Sequence, residues 1–311
     1  MAKILITESV HPIGPELLTA AGHTVVYADR DMDVIRREVV DADAVLVRII
    51  ELPGSLLATA KNLKIVSKHG VGYDNIDLDY CKSHGIAVTI TPNANSLSVA
   101  EHAFTLMLTL AKNIIPVSNE YRTVGFAAKN HAPGIEMTGK TLGLIGMGRI
   151  GKHVLHMCKD GLDMHVIVYD PYISEVPEGV EKVDDLSELL RRADVVTLHC
   201  LLTDETRKLI DRERLALMKP TALLINCARG PIVEEAALIE ALENGRLAGA
   251  GLDVTDPEPV APDSPLFKLP NVIVTPHYAP TTVESATRVS KIAAENINAV
   301  LAGQEPVGRI V

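Results

Sequence analysis

The stretch Gly143-Leu144-Ile145-Gly146-Met147-Gly148-Arg149-Ile150-Gly151 joins a short apolar run to a helix-like run through three glycines spaced G-x-G-x-x-G. Thr141 to Ile145 reads as a strand, and Arg149 to Lys159 as the helix that follows. In a strand–turn–helix unit, the first glycine permits the tight turn and the second lets a pyrophosphate approach the backbone. The third allows close packing of helix on strand. Unpaired N–H groups at the helix N-terminus favour a phosphate. Gly146, Gly148, Arg149, Ile150 and Gly151 are therefore candidate dinucleotide contacts. Asp170, at the end of the next strand-like run His165 to Tyr169, is placed to accept from adenosine ribose hydroxyls. Its charge disfavours an added phosphate, so the cofactor expected is NAD rather than NADP.

Reading outward, strands follow at Val195 to His199, Ala222 to Asn226, Gly249 to Val254 and Asn271 to Thr275. Helical runs lie between them, at Leu186 to Leu190, Arg212 to Met218 and Glu234 to Glu243. Six strands opened by a glycine-rich turn predict a Rossmann dinucleotide-binding domain. The first ninety residues make a second, smaller series, with strands at Lys3 to Thr7, Thr24 to Tyr27, Ala44 to Val47, Leu63 to Ser67 and Ile86 to Ile90. Helices are expected at Pro12 to Ala21 and Met32 to Val40. Short β-branched runs alternating with helices predict an α/β protein of two doubly wound parallel-sheet domains. Ser96 to Ile115 reads as one long helix between them, and Val283 to Leu301 as a final helix that returns to the first domain. The expected division is residues 1–95 plus 286–311 for one domain and 96–285 for the other, with a cleft between them.

Composition narrows the function. The 311 residues carry a formal charge of −10, and no basic run offers a nucleic-acid footprint. Aromatic residues make up 3% and tryptophan is missing, so the cores must be built from aliphatic side chains. That suits sheets covered by helices on both faces. No signal-peptide layout or membrane-spanning run is read, and Cys81, Cys158, Cys200 and Cys227 form no C-x-x-C pair. A cytoplasmic protein without a metal site is expected.

Arg229, Glu258 and His277 stand at or just beyond strand ends of the second series, where ligands bind in open α/β sheets. An arginine can grip a carboxylate with two parallel hydrogen bonds. A histidine can move a proton near neutral pH, and a carboxylate bonded to it fixes its tautomer. Together with a nicotinamide cofactor, this trio suits hydride transfer to and from a small 2-keto acid. Alternatives remain for each: a solvated arginine before Gly230, an exposed turn in Asp256-Pro257-Glu258-Pro259, and a histidine bound to its own loop. Asp253 is a further candidate, beside the nicotinamide amide. His102 and His199 read more readily as structural.

These motifs, with Tyr169-Asp170-Pro171, Leu224-Ile225-Asn226-Cys227-Ala228-Arg229-Gly230, Gly251-Leu252-Asp253-Val254 and Thr275-Pro276-His277, resemble the D-isomer-specific 2-hydroxyacid dehydrogenase family along essentially the whole chain. The resemblance implies that Arg229, Glu258 and His277 are catalytic, and that residues 1–95 and 286–311 form a flavodoxin-like substrate domain. It implies that Gly70, Val71 and Gly72 present N–H groups to the substrate carboxylate, with Asn95 near the cleft. It sets Cys200, Thr206, Cys227, Ala228, Asp253, His277 and Ala279 against the cofactor, and gives the long helix a role in a homodimer. Arg48 and Lys68 look like two basic positions that hold the phosphate of phosphohydroxypyruvate in phosphoglycerate dehydrogenases, with lysine where arginine is usual at Lys68. Their alternative is a pair of ordinary solvated charges. The other functional readings are a glyoxylate/hydroxypyruvate reductase and an NADH-sensing, corepressor-like interaction protein. Leu201, Thr255 and Tyr278-Ala279-Pro280 depart from the family's usual residues. A short form without the regulatory extension of longer relatives is expected.

Overall fold

The computed structural model describes residues 1–311 and divides into two compact units, Met1–Asn95 with Pro280–Val311, and Ser96–Ala279. The return to the first unit falls at Pro280, earlier than the expected residue 286, because the closing helix is one continuous element from Val283 and takes its lead-in with it.

In the first unit, β1 (Lys3–Ile6), β2 (Thr24–Tyr27), β3 (Ala44–Val47), β4 (Ile65–Lys68) and β5 (Ala87–Thr89) form a parallel sheet in the order β2-β1-β3-β4-β5. That order is the flavodoxin-like winding. Helices α1 (Ile13–Ala20), α2 (Met32–Glu38), α3 (Gly54–Leu57) and α4 (Leu78–Ser83) connect its strands; the last two are short pieces of one or two turns that leave no helical period in the sequence. Alternation along the strands sends Leu5, Val45, Val66 and Val88 to one core. Ile4, Ile6, Leu46 and Ile65 go to the other, where Ala293, Ala294 and Ile297 of the closing helix cover them. Polar bonds tie that helix to the unit: Ser67 Oγ donates to Ala293 O (3.0 Å) and Asn296 Nδ2 to Ile90 O (3.2 Å).

The second unit opens with α5 (Ser96–Ala111) and α6 (Ile114–Val124). The single helix expected over Ser96 to Ile115 is thus broken. Asn113 adopts a left-handed conformation (φ 50°), and its amide donates to Pro133 O at 3.1 Å, an alternative to helix continuation open to asparagine. Helix α6 has no buried residue and leaves Ile114, Tyr121 and Val124 exposed, with Phe126 just beyond it.

The sheet of this unit has seven strands: β6 (Thr141–Ile145), β7 (His165–Tyr169), β8 (Val180–Lys182), β9 (Val195–Leu198), β10 (Leu223–Asn226), β11 (Gly249–Leu252) and β12 (Val272–Val274). All are parallel, in the order β12-β11-β10-β9-β6-β7-β8. The edge strand β8 is the addition to the six expected; its three partly exposed residues carry no buried pattern. Helix α7 (Arg149–Leu162) lies with α5 on one face, over Leu142, Leu144, Val195 and Ile225. The opposite face is covered by α8 (Leu186–Arg192), α9 (Arg212–Leu215) and α10 (Glu235–Glu243). The closing helix in the first unit is α11 (Val283–Leu301). Glycine lets α5 approach the sheet: a Cβ on Gly251 would come within 3.0 Å of Leu106 Cβ. No helix is long and apolar enough to cross a membrane.

Candidate active site

Because every strand of the seven-stranded sheet is parallel, all its carboxyl ends open on one edge. Gly146 follows β6, Asp170 follows β7, His199 follows β9, Arg229 lies beyond β10, Asp253 follows β11, and His277 lies beyond β12. The order reverses between β6 and β9, which is where such sheets bind ligands.

The turn after β6 is built as its glycines require. Gly146 has φ +89°, and a Cβ there would lie 2.8 Å from Cys200 N. A Cβ on Gly151 would fall 2.2 Å from Gly146 O, so only glycine lets α7 start this close to β6. The Cβ side of Gly148 is open space, and Gly148 and Arg149 are exposed at the head of α7. Asp170 accepts from Met147 N through Oδ2 (2.9 Å) and from Tyr172 N through Oδ1 (3.0 Å). Its charge is thereby held at the glycine turn. An open, amide-rich helix N-terminus next to a fixed strand-end carboxylate fits the pyrophosphate and ribose of a dinucleotide.

The remaining cofactor candidates line neighbouring turns. Thr206 Oγ1 donates to Leu201 O (2.6 Å) and accepts from Thr203 N (2.7 Å), closing the loop that begins at Cys200. Cys227 is buried, which pushes its thiol well up; Ala228 N donates to Asn226 Oδ1 at 3.0 Å. His199 pairs through Nε2 with Thr197 Oγ1 at 2.8 Å, and burial lowers its pKa to about 3, so this ring is neutral at ordinary pH.

The acid–base candidates come together. His277 Nδ1 lies 2.7 Å from Glu258 Oε1, with the two side chains 28% and 35% exposed, so the pair is accessible. Glu258 is brought there by a braced loop: Thr255 Oγ1 donates to Pro257 O (2.9 Å) and Asp256 N to Glu235 Oε2 (2.9 Å). Gly230 presses on the same loop, since a Cβ on it would sit 1.9 Å from Thr255 O. The half-buried Arg229 immediately precedes that contact and donates from Nη1 to Ala228 O at 2.8 Å.

His277 itself is in the left-handed region, with φ +52°, which costs a non-glycine residue on the order of 1 kcal/mol. Asp253, 1% exposed, holds it there. Its backbone carbonyl accepts from His277 N (2.8 Å), and its carboxylate accepts from Thr275 Oγ1 (2.6 Å), Tyr278 N (2.7 Å) and Ala279 N (2.9 Å). The sequence points to Asp253 and Ala279 as cofactor neighbours without revealing this clamp. Thr275 and Glu235 carry no signal of a site role in the sequence; only the adjacency of β11 and β12 brings Thr275 to Asp253.

The substrate candidates of the first unit sit at the carboxyl edge of its sheet. Buried Glu8 accepts from the amides of Arg48 (2.8 Å) and Ile49 (2.9 Å). Arg48 Nη1 donates to Ser9 O at 2.9 Å. Lys68, 6% exposed, donates to Asn75 Oδ1 (2.6 Å) and to Arg48 O, so it is no solvated charge. Gly70 has φ +144°, and its N–H turns back to Lys68 O at 3.0 Å; Val71 and Gly72 continue the loop, half-buried. Asn95 is buried, with its side-chain oxygen unpaired.

A family model described as the NAD binding domain of D-isomer specific 2-hydroxyacid dehydrogenases matches residues 104–279. The chain belongs to that family. It is 42% identical to a D-3-phosphoglycerate dehydrogenase of Methanocaldococcus jannaschii, over 98% of this chain and 58% of the relative. It thus spans little more than half the length of that relative. A glyoxylate reductase of Thermofilum pendens is 38% identical over 98% of this chain and 93% of its own length. Among solved structures, the TT0316 protein of Thermus thermophilus superposes with a TM-score of 0.91 at 35% identity, over 99% of this chain and all of the other. The family match supports an NAD(H)-type cofactor for this chain.

Two glycine substitutions separate the turn from the ligand. Gly148→Ala has room in the protein alone and is expected to keep the parent Tm, yet weaken NADH binding about tenfold or more by filling the space the pyrophosphate needs. Gly151→Val should lower both Tm and affinity. Fluorescence titration with NADH and thermal melts check both; unchanged affinity in Gly148→Ala would remove the pyrophosphate from this turn.

Proposed function

We propose that the protein is an NAD-dependent dehydrogenase that interconverts a small D-2-hydroxy acid and its 2-keto acid. The observation that carries this is the His277–Glu258 pair at the same sheet edge as the dinucleotide turn. Bound NADH supplies the hydride. Glu258 accepts from Nδ1 of His277, which fixes the tautomer and leaves Nε2 to face the substrate oxygen. In reduction, Nε2 gives its proton to the carbonyl oxygen as that oxygen gains charge; in oxidation it takes the hydroxyl proton back. Arg229 holds the substrate carboxylate in a planar two-pronged grip that a lysine cannot reproduce.

His277→Ala should lower kcat by about 10² to 10⁴ while NADH still binds. Steady-state NADH oxidation, with binding measured separately, checks this, and near-parental turnover across the pH range would assign the proton to another group.

For the substrate we favour phosphohydroxypyruvate and 3-phosphoglycerate, on the basic side chain of Arg48 and the D-3-phosphoglycerate dehydrogenase among the relatives. One observation favours the second reading, a glyoxylate or hydroxypyruvate reductase: the Lys68 ammonium is buried and bonded to Asn75 and the Arg48 carbonyl. The comparison is kcat/KM for phosphohydroxypyruvate against hydroxypyruvate, in the parent and in Arg48→Ala. If Arg48 binds phosphate, the parent prefers the phosphorylated acid and the variant loses about 10- to 150-fold of that preference. Equal use of both acids by the parent supports the reductase instead.

A homodimer is proposed as the working form. An eleven-residue helix with no buried residue, followed by exposed Phe126, presents an apolar face that a second copy of the chain would cover. Sedimentation at low concentration should give a dimer in the parent and a monomer in a Tyr121→Glu/Phe126→Glu variant. A monomeric parent contradicts the proposal.

A further inference from the structure

Outside the residues already given a role, one side chain touches the clamp that shapes the His277 loop. His102, on α5, places Nε2 3.0 Å from Thr275 Oγ1 and 3.5 Å from Asp253 Oδ1. Its ring also meets Tyr278 edge-on, with centroids 6.2 Å apart. The direction of the hydrogen bonds is set by the chemistry. Thr275 Oγ1 has one proton, and at 2.6 Å from the Asp253 carboxylate it donates that proton there. The hydroxyl can then only accept from His102, so Nε2 of His102 carries the hydrogen. The resulting chain runs from His102 Nε2–H to the Thr275 hydroxyl and on to Asp253, whose carboxylate also takes the amides of Tyr278 and Ala279.

We propose that His102 is a positioning residue for proton transfer. It orients Thr275 on Asp253, and so fixes the left-handed backbone at His277 that aims the imidazole. This rests on the reading in which His277 carries the proton.

The location supports a directing role beyond packing. His102 is on a helix whose adjacent turns are anchored on the sheet: Leu106 lies against Gly251, two residues before Asp253. The imidazole is therefore delivered to the clamp from a rigid element. It is 17% exposed and Asp253 1%, so water competes little for these bonds. Three protein donors already engage the carboxylate, and loss of the threonine donor's orientation leaves a buried acceptor short of a partner. A small displacement follows in a loop held away from its preferred conformation, and proton transfer is sensitive to displacements of that size.

The test uses His102→Leu, His102→Gln, Thr275→Val, Thr275→Ser and the double variant His102→Leu/Thr275→Val, with His277→Ala as reference. Glutamine carries an N–H donor at a reach close to that of histidine Nε2, whereas leucine keeps bulk alone. His102→Leu and Thr275→Val should each lower kcat about 5- to 100-fold, with KM and NADH affinity near parental values. His102→Gln and Thr275→Ser should recover most of the rate. In the double variant, the losses should not multiply, because both singles break one chain. Parental kcat in His102→Leu would overturn the proposal, as would a glutamine variant as slow as the leucine one, or multiplicative losses in the double. If leucine at 102 prevents folding, the threonine pair still decides: equal kcat in Thr275→Val and Thr275→Ser overturns it. A fully active His277→Ala would instead sink the underlying proton-transfer reading, so the two failures are told apart.

Discussion

A buried carboxylate at the end of one strand organises the chemical edge of the second unit. Asp253 accepts from one hydroxyl and two backbone amides, and its own carbonyl takes the N–H of His277. An ionised group this deeply buried persists only when its lone pairs are occupied, so carboxylate and loop require each other. The loop gains a conformation that histidine rarely adopts, and the carboxylate gains its donors. Glu258 can meet His277 at 2.7 Å because both flanking loops are braced, one by Asp253 and the other by Glu235 and the contact at Gly230. A parallel sheet makes this simple: β11 and β12 are neighbours, so their carboxyl ends fall side by side.

The first unit solves a related problem with a different set of charges. Glu8 gathers the amides that follow β3, and Lys68 bridges the Arg48 carbonyl to Asn75, which itself donates to Ile50 O at 2.7 Å. Acid and base here act as struts for loops. Next to them, the half-buried His69 has a pKa lowered to about 3, through desolvation and the neighbouring positive charges of Arg48 and Lys68, so it adds no charge. A basic residue at a strand end can thus be committed to architecture even where its position suggests a ligand.

Much of this organisation was legible in the sequence. Short β-branched runs marked the strands, and glycine spacing marked the tight turn after β6 that Asp170 braces, because those signals are local. The residue types at Arg229, Glu258 and His277 pointed to the chemistry. What escaped depends on contacts between distant segments. The break at Asn113 needs the carbonyl of Pro133 as a partner, and β8 is an edge strand recognisable only by its pairing with β7. Thr275 became a site residue only once β11 and β12 were neighbours. The structural use of Lys68 was hidden for the same reason, since Asn75 lies across a loop from it.

The proposed reaction at this sheet edge is reduction of a 2-keto acid to the D-2-hydroxy acid with NADH as the hydride donor. It is tested most directly by incubating the purified protein with NADH and a panel of 2-keto acids, phosphohydroxypyruvate, hydroxypyruvate and glyoxylate among them, and assigning the configuration of each chiral product. NADH consumption should be matched mole for mole by hydroxy acid, with only the D form where the product is chiral. Tight NADH binding with no consumption on any member of the panel would contradict it.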